Sequence, residues 1–83
     1  MAYDQVKIAR RKAVGAKQTL KAVVKGTARI VFIARDADER VTRDILRECA
    51  ERRVPAEIVD SMAALGRACG IQVGAAACAI IVE

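Results

Sequence analysis

The sequence contains no histidine and no tryptophan, one proline, one serine and two aromatic residues, Tyr3 and Phe32. Without histidine, the most frequent general base and metal ligand is missing. Cys49, Cys69 and Cys78 lack the short spacing of a zinc-ligand pair, so no metal and no cofactor are expected. The lone serine, Ser61, falls where a helix N-cap belongs, which leaves nucleophilic catalysis without parts. Asp36 and Asp38 could be read as an acid/base pair, yet two acids in a turn after a strand are turn and helix-entry formers first. Gly66, Gly70 and Gly74 fit neither GxxxxGK nor a GxGxxG following a strand, so nucleotide binding has no support. The chain is therefore read as non-enzymatic.

Three cysteines, an odd number with no secretory signal before them, predict reduced thiols in a cytoplasmic protein. The longest apolar stretch, residues 73–82, is half the length of a membrane helix and reads as a buried strand with its approach. No membrane contact is expected. With 54% hydrophobic residues and a single proline, the chain is also too apolar and unbroken for a disordered basic tail.

What is present is one small domain spanning residues 1–83, of 8.9 kDa, with net charge +5 and a pI near 9.6. The charge is unevenly placed. Residues 1–35 hold nine basic side chains against Asp4 alone, a local charge of +8, whereas residues 36–83 sum to −3. Such a division points to a basic patch facing an anionic partner, with nucleic acid the commonest case.

Spacing predicts a first helix capped by Asp4 and running from Gln5 to about Ala13, then a break at Gly15. A second helix runs from Ala16 or Lys17 to Lys25, closed by Gly26. Its apolar side carries Leu20, Val23 and Val24, and its basic side Lys17, Gln18, Lys21 and Lys25. The β-branched run Arg29 to Ala34 reads as a central strand covered on both faces. A third helix, Arg40 to Arg52, is expected to bury Val41, Ile45, Leu46, Cys49 and Ala50 and to pair Arg47 with Glu51 and Glu48 with Arg52. A short strand Ala56 to Val59, a fourth helix capped by Asp60 or Ser61, and a last strand Ala77 to Val82 complete an α/β chain. Alternating helices and two-sided strands imply a three-layer α/β/α sandwich with a small mixed central sheet.

The informative segment is Gly15-Ala16-Lys17-Gln18-Thr19-Leu20-Lys21. A helix N-terminus carries free N–H groups and partial positive charge, and its ordinary companions are acids. Here they are lysines, and Lys17, Lys21 and Lys25 follow at i, i+4, i+8, each neighbouring pair repelling by about 0.2–0.5 kcal/mol. A polyphosphate laid across the helix end would relieve that repulsion and use the N–H groups, while the Gln18 amide can read a base edge. The second segment is Leu65 to Ala76, where Ile71 and Val73, framed by Gly70 and Gly74, can tuck into the core or stand out toward a ligand. With two aromatics and one of them in the central strand, base-stacking platforms are missing, which favours structured RNA over a single strand.

Three motifs in order, Gly15-x-Lys17-Gln18-Thr19-x-Lys21, Ala34-x-Asp36-Ala37-Asp38 and Leu65-Gly66-x-Ala68-Cys69-Gly70-Ile71-x-Val73-Gly74-Ala75-Ala76, resemble the kink-turn-binding ribosomal protein family of the large-subunit seven-Ae type, in its small bacterial form. The resemblance covers nearly the whole chain, from Val6 to Val82. It implies a non-catalytic protein that grips a kink-turn, a sharply bent RNA duplex with a bulge beside tandem sheared G·A pairs. Carried over by position, Gly15, Ala16, Lys17, Gln18 and Lys21 would face the major-groove edge of the G·A pairs, and Ile71, Gln72 and Val73 the bulged nucleotides. Arg35 would stand near the same surface and Lys25 would touch the backbone. The partners implied are ribosomal RNA, a riboswitch or another noncoding RNA, with ribosome association and a monomeric protein. Archaeal and eukaryotic relatives have Asn-Glu where this chain has Lys17-Gln18, which shifts the balance from base readout toward backbone attraction. A general structured-RNA or ribosome-associated protein, and a protein-interaction adaptor with a basic docking face, are the competing readings of the lysine stripe.

Overall fold

The computed structural model describes residues 2–82. Its elements are α1 (Ala2–Ile8), β1 (Lys12–Val14), α2 (Ala16–Lys25), β2 (Ala28–Ala34), α3 (Glu39–Arg52), β3 (Ala56–Val59), α4 (Met62–Ala68) and β4 (Ala77–Ile81). The four strands form one mixed sheet in the order β1-β4-β2-β3. β4 lies antiparallel to both of its neighbours, and β2 and β3 are parallel, joined through α3 as such a pair requires.

Alternation along the two inner strands builds two cores. Val31 and Ile33 of β2, with Ala77 and Ala79 of β4, face Ala22 and Val23 of α2 and Ile45 and Cys49 of α3. Phe32 and Ala34, with Cys78, face Val6 of α1 and Leu65 and Ala68 of α4. A three-layer α/β/α sandwich results, as the continuous apolar strand predicted. The small alanines of β4 on the first face allow α2 and α3 to lie close to the sheet.

The first helix is shorter than its spacing implies. Asp4 lies in the first turn of α1 and not at its cap, and the helix stops at Ile8. Lys12, Ala13 and Val14 leave the helical pattern to pair with Ile80, Ala79 and Cys78 of β4. Sheet pairing made by residues more than sixty positions away outweighs the weak helix preference of this segment. The Lys12 ammonium then donates to the Val6 carbonyl at 3.0 Å, near the end of α1.

Two helix faces are also rotated from expectation. In α3 the buried residues are Thr42, Ile45 and Cys49, while Val41 and Leu46 are 42% and 38% exposed and Ala50 is exposed. In α2, Thr19, Ala22 and Val23 are buried, Leu20 is half-buried and Val24 is 46% exposed. The buried face of α2 thus carries threonine, alanine and valine and that of α3 threonine, isoleucine and cysteine, each rotated by part of a turn from the most hydrophobic face. The Glu48–Arg52 pair forms at 3.0 Å, but Arg47 pairs with Asp44 at 3.1 Å and not with Glu51.

All three cysteines are free and buried. Burial pushes the Cys78 thiol up to about 12 and raises Cys49 as well. The folded state therefore favours the neutral thiols, and an unfolded chain loses those protons at lower pH. Their contribution to stability is fully present below about pH 8.5, the ordinary thiol value, and falls as pH rises toward 12. Urea unfolding followed from pH 7 to pH 10.5 should show stability declining only above about pH 8.5. A thiol-reactive disulfide reagent at pH 8 should leave Cys78 untouched in the native protein and titrate all three thiols in urea.

Candidate nucleic-acid interface

β1 and β2 both end where β4 begins, and that shared end carries the sequence-predicted site. The Gly15 N–H donates to the Ala77 carbonyl at 2.8 Å, and the Ala34 N–H to the Ala76 carbonyl at 2.9 Å. Gly15, which opens α2, and Arg35, which follows β2, thus flank the end of the loop that carries Ile71, Gln72 and Val73. Three segments far apart in sequence meet on one edge of the sheet.

Gly15 has φ 96° and ψ 158°, a conformation open essentially to glycine alone. A Cβ there would meet nothing within 4 Å, so the requirement is the backbone turn itself. That turn swings the chain from β1 into α2 and leaves the helix start open. Gly15 has no side chain to cap the first N–H groups, and no acid lies in the first turn. Lys17, Gln18 and Lys21 are exposed, whereas Thr19 is buried, its hydroxyl without a partner among the described residues. Ala16 is half-buried between the helix start and the sheet.

The other two helices with a defined start are capped by side chains. The Asp38 carboxylate accepts from the Arg40 N–H at 2.8 Å and from the Arg40 guanidinium at 2.9 Å, which holds its carboxyl below the usual range. Ser61 accepts from the Ala64 N–H at 3.1 Å. Asp36, across 26 residues, accepts from the Met62 N–H at 2.8 Å. Both aspartates of the turn after β2 are therefore helix caps, and Asp36 ties that turn to the start of α4. Sequence reasoning had no signal for the second tie, because its partner is a backbone group.

The loop from Gly70 to Ala76 lies against α4. A Cβ on the buried Gly66 would collide with the Val73 carbonyl oxygen, and one on Gly74 would come within 3.1 Å of the Met62 Cβ. Gly66 needs glycine because the loop backbone touches the helix there, and at Gly74 a Cβ would fit only tightly against Met62. The Ile71 N–H donates to the Gly66 carbonyl and the Ala75 N–H to the Met62 carbonyl, both at 3.0 Å. Held in this way, the loop divides its two apolar residues. Ile71 packs half-buried against the core, while Val73 stands 71% exposed with Gln72 exposed beside it. Arg67, which sequence reasoning did not single out, joins Ile71, Gln72 and Val73 around a shallow hollow of about 390 Å³. Its spacing, one helical turn before Ile71, was the available signal.

Lys25 lies elsewhere. Eight residues of helix separate it from Lys17, about 12 Å at 1.5 Å per residue, and it stands at the opposite end of the sheet.

Comparison with known proteins follows the same outline. Residues 2–83 match the ribosomal protein L7Ae/L30e/S12e/Gadd45 family. An RNA-binding protein of Geobacillus sp. (strain WCH70) is 47% identical over 81 residues, which cover 98% of this chain and 99% of the relative. An RNA-binding protein of Bacillus pumilus (strain SAFR-032) is 43% identical over 81 residues, again 98% and 99% of the two chains. Among solved structures, the Giardia lamblia 15.5kD RNA binding protein superposes with a TM-score of 0.89 at 32% identity, covering 99% of this chain and 72% of its own.

Gly15→Ala should destabilise the protein by about 1–3 kcal/mol through backbone strain alone, read as a lowered urea midpoint with an unchanged m-value.

Proposed function

The chain belongs to the ribosomal protein L7Ae/L30e/S12e/Gadd45 family, and on that premise we propose that it is an RNA-binding protein that recognises and stabilises kink-turns in structured RNA. The observation that carries this reading is the placement of an uncapped, lysine-bearing helix start beside a loop that presents an exposed valine. A kink-turn offers matching features on one side, a sharply bent backbone with bulged nucleotides next to G·A pairs.

In this reading the N–H groups of Ala16 and Lys17 and the ammonium groups of Lys17 and Lys21 meet phosphates. Gly15 lets the backbone come close because no Cβ stands between it and the RNA. Gln18 reads the major-groove edge of the G·A pairs with an amide that donates and accepts. Val73 and Gln72 cover the bulged bases, Ile71 anchors their loop to the core, and Arg35 adds a cation at the end of β2. No chemistry by the protein is needed. Free RNA exchanges between extended and bent forms, and a protein that binds the bent form better shifts the population toward it.

The deciding experiment compares affinity for a kink-turn RNA with affinity for the same RNA whose G·A pairs are changed to Watson–Crick pairs, at one salt concentration. A preference of about 10³, near 4 kcal/mol, is expected for a specific site. Equal affinity would reduce the reading to a general structured-RNA protein. Lys21→Ala should weaken binding to both RNAs and lower the slope of log affinity against log salt by about one, as for one phosphate contact. Gln18→Ala should instead shrink the difference between the two RNAs and leave that slope unchanged.

A further inference from the structure

We propose that the protein carries a second RNA-contacting surface at the end of the sheet opposite Gly15, where Arg11 and Arg29 bind the phosphate backbone of a second RNA segment. This inference rests on reading the chain as RNA-binding and does not depend on kink-turn preference.

The fold splits the basic first 35 residues of the chain between two poles. Lys17, Lys21 and Arg35 lie at or near the end where β4 begins. Arg10, Arg11 and Arg29 lie at the end where β4 finishes, around a groove of about 760 Å³ floored by Ile30, Ile80 and Val82. The groove exists because α1 and α4 are seven residues each, about 10 Å long, and cannot cover strands that extend to about 23 Å. Among the described residues no carboxylate lines it. Arg10 has a partner of its own; Arg11 and Arg29 are exposed and form no ion pair with the described residues.

Their backbones are set by the sheet, with Arg29 at the irregularity in the β2–β4 pairing between Ala28 and Ile30. The Arg11 carbonyl accepts from the Ile81 N–H at 3.0 Å, and Arg29 follows Ala28, which pairs with Ile81 on its other side. The two arginines thus flank β4, with backbones about two strand spacings, or about 10 Å, apart. A guanidinium takes phosphate oxygens two at a time, and an apolar floor beside it excludes the water that would screen the contact. Lys7 and Lys25, in the last turns of α1 and α2, carry the same sign onto the helix ends at this pole. The Val82 N–H donates to the Thr27 carbonyl at 2.8 Å, which keeps the Lys25 end of α2 beside the groove. A spread of cations wider than the groove suits a polyphosphate better than a short acidic peptide, whose few carboxylates would meet only part of it. The molecule measures 29 × 29 × 20 Å, so the poles are far enough apart to hold two RNA segments at once.

The test is capture of a second RNA. Native protein is first loaded onto an immobilised kink-turn RNA, and a fluorescent 20-base-pair RNA duplex without a kink-turn is then added. The double variant R11Q/R29Q should bind the immobilised RNA within about twofold of native yet capture the duplex at least tenfold less. The slope of capture against log salt should fall by about two, one per lost phosphate contact. Equal capture by native and variant, or no capture by native protein, overturns the proposal. So does binding of a synthetic glutamate- and leucine-rich peptide to native protein but not to the variant, without RNA capture. Equal loading on a first RNA whose G·A pairs are replaced would count against kink-turn recognition alone, since the capture comparison runs equally well on that RNA.

Discussion

The pairing of β4 with both β1 and β2 is the constraint on which the remainder of this molecule depends. It pulls Lys12 to Val14 out of the first helix, places the small alanines of β4 beneath α2 and α3, and divides one apolar chain into two cores. The carbonyls of Ala76, just before β4, and of Ala77, its first residue, receive the N–H groups of Ala34 and Gly15. The loop before β4, the start of α2 and the end of β2 are held in one place by the same two hydrogen bonds. An edge assembled from three segments follows directly from where a single strand begins.

Around that edge the chain treats its helix ends unequally. α3 and α4 receive carboxylate or hydroxyl caps, and Asp36 reaches across the fold to contribute one of them. α2 starts at a glycine in a conformation side chains avoid, with lysines in place of acids. α2 thus lacks the local stabilisation that side-chain caps give α3 and α4. The same division is visible in α4, whose Gly66 allows a loop backbone to lie directly upon the helix while the loop turns Val73 outward. The pattern suits a protein whose contribution to its partner is shape and charge, made ready before the partner arrives.

Seven of the eight elements were legible in the chain, the first helix with shifted bounds, because their signals are local. The β-branched run of β2, the glycine closing α2 and the Ser61 cap of α4 each act within a few residues. β1 was not legible, since its three residues become a strand only by pairing with Ile80, Ala79 and Cys78. The buried faces of α2 and α3 were misplaced by part of a turn for a related reason. Hydrophobicity ranks Val24, Val41 and Leu46 above Thr19 and Thr42, but the packing of the two helices buries the threonines and leaves the larger side chains partly exposed. For the loop after α4, the residues themselves left Ile71 and Val73 equivalent, and contact with Gly66 separated them.

The sequence alone determined that the chain is basic, that it has no histidine and a single serine, and that its positive charge is concentrated in its first 35 residues. Those properties are read from the identity and order of the residues and do not depend on where the fold places them. Tertiary structure alone decided that the charge occupies two poles instead of one patch, that the Lys17 and Lys25 ends of α2 lie at opposite ends of the sheet, and that Gly15, Arg35 and Val73 share an edge. The reason is that a strand carries neighbours in sequence to opposite ends of the sheet, whereas hydrogen bonds between strands bring together residues the chain keeps far apart.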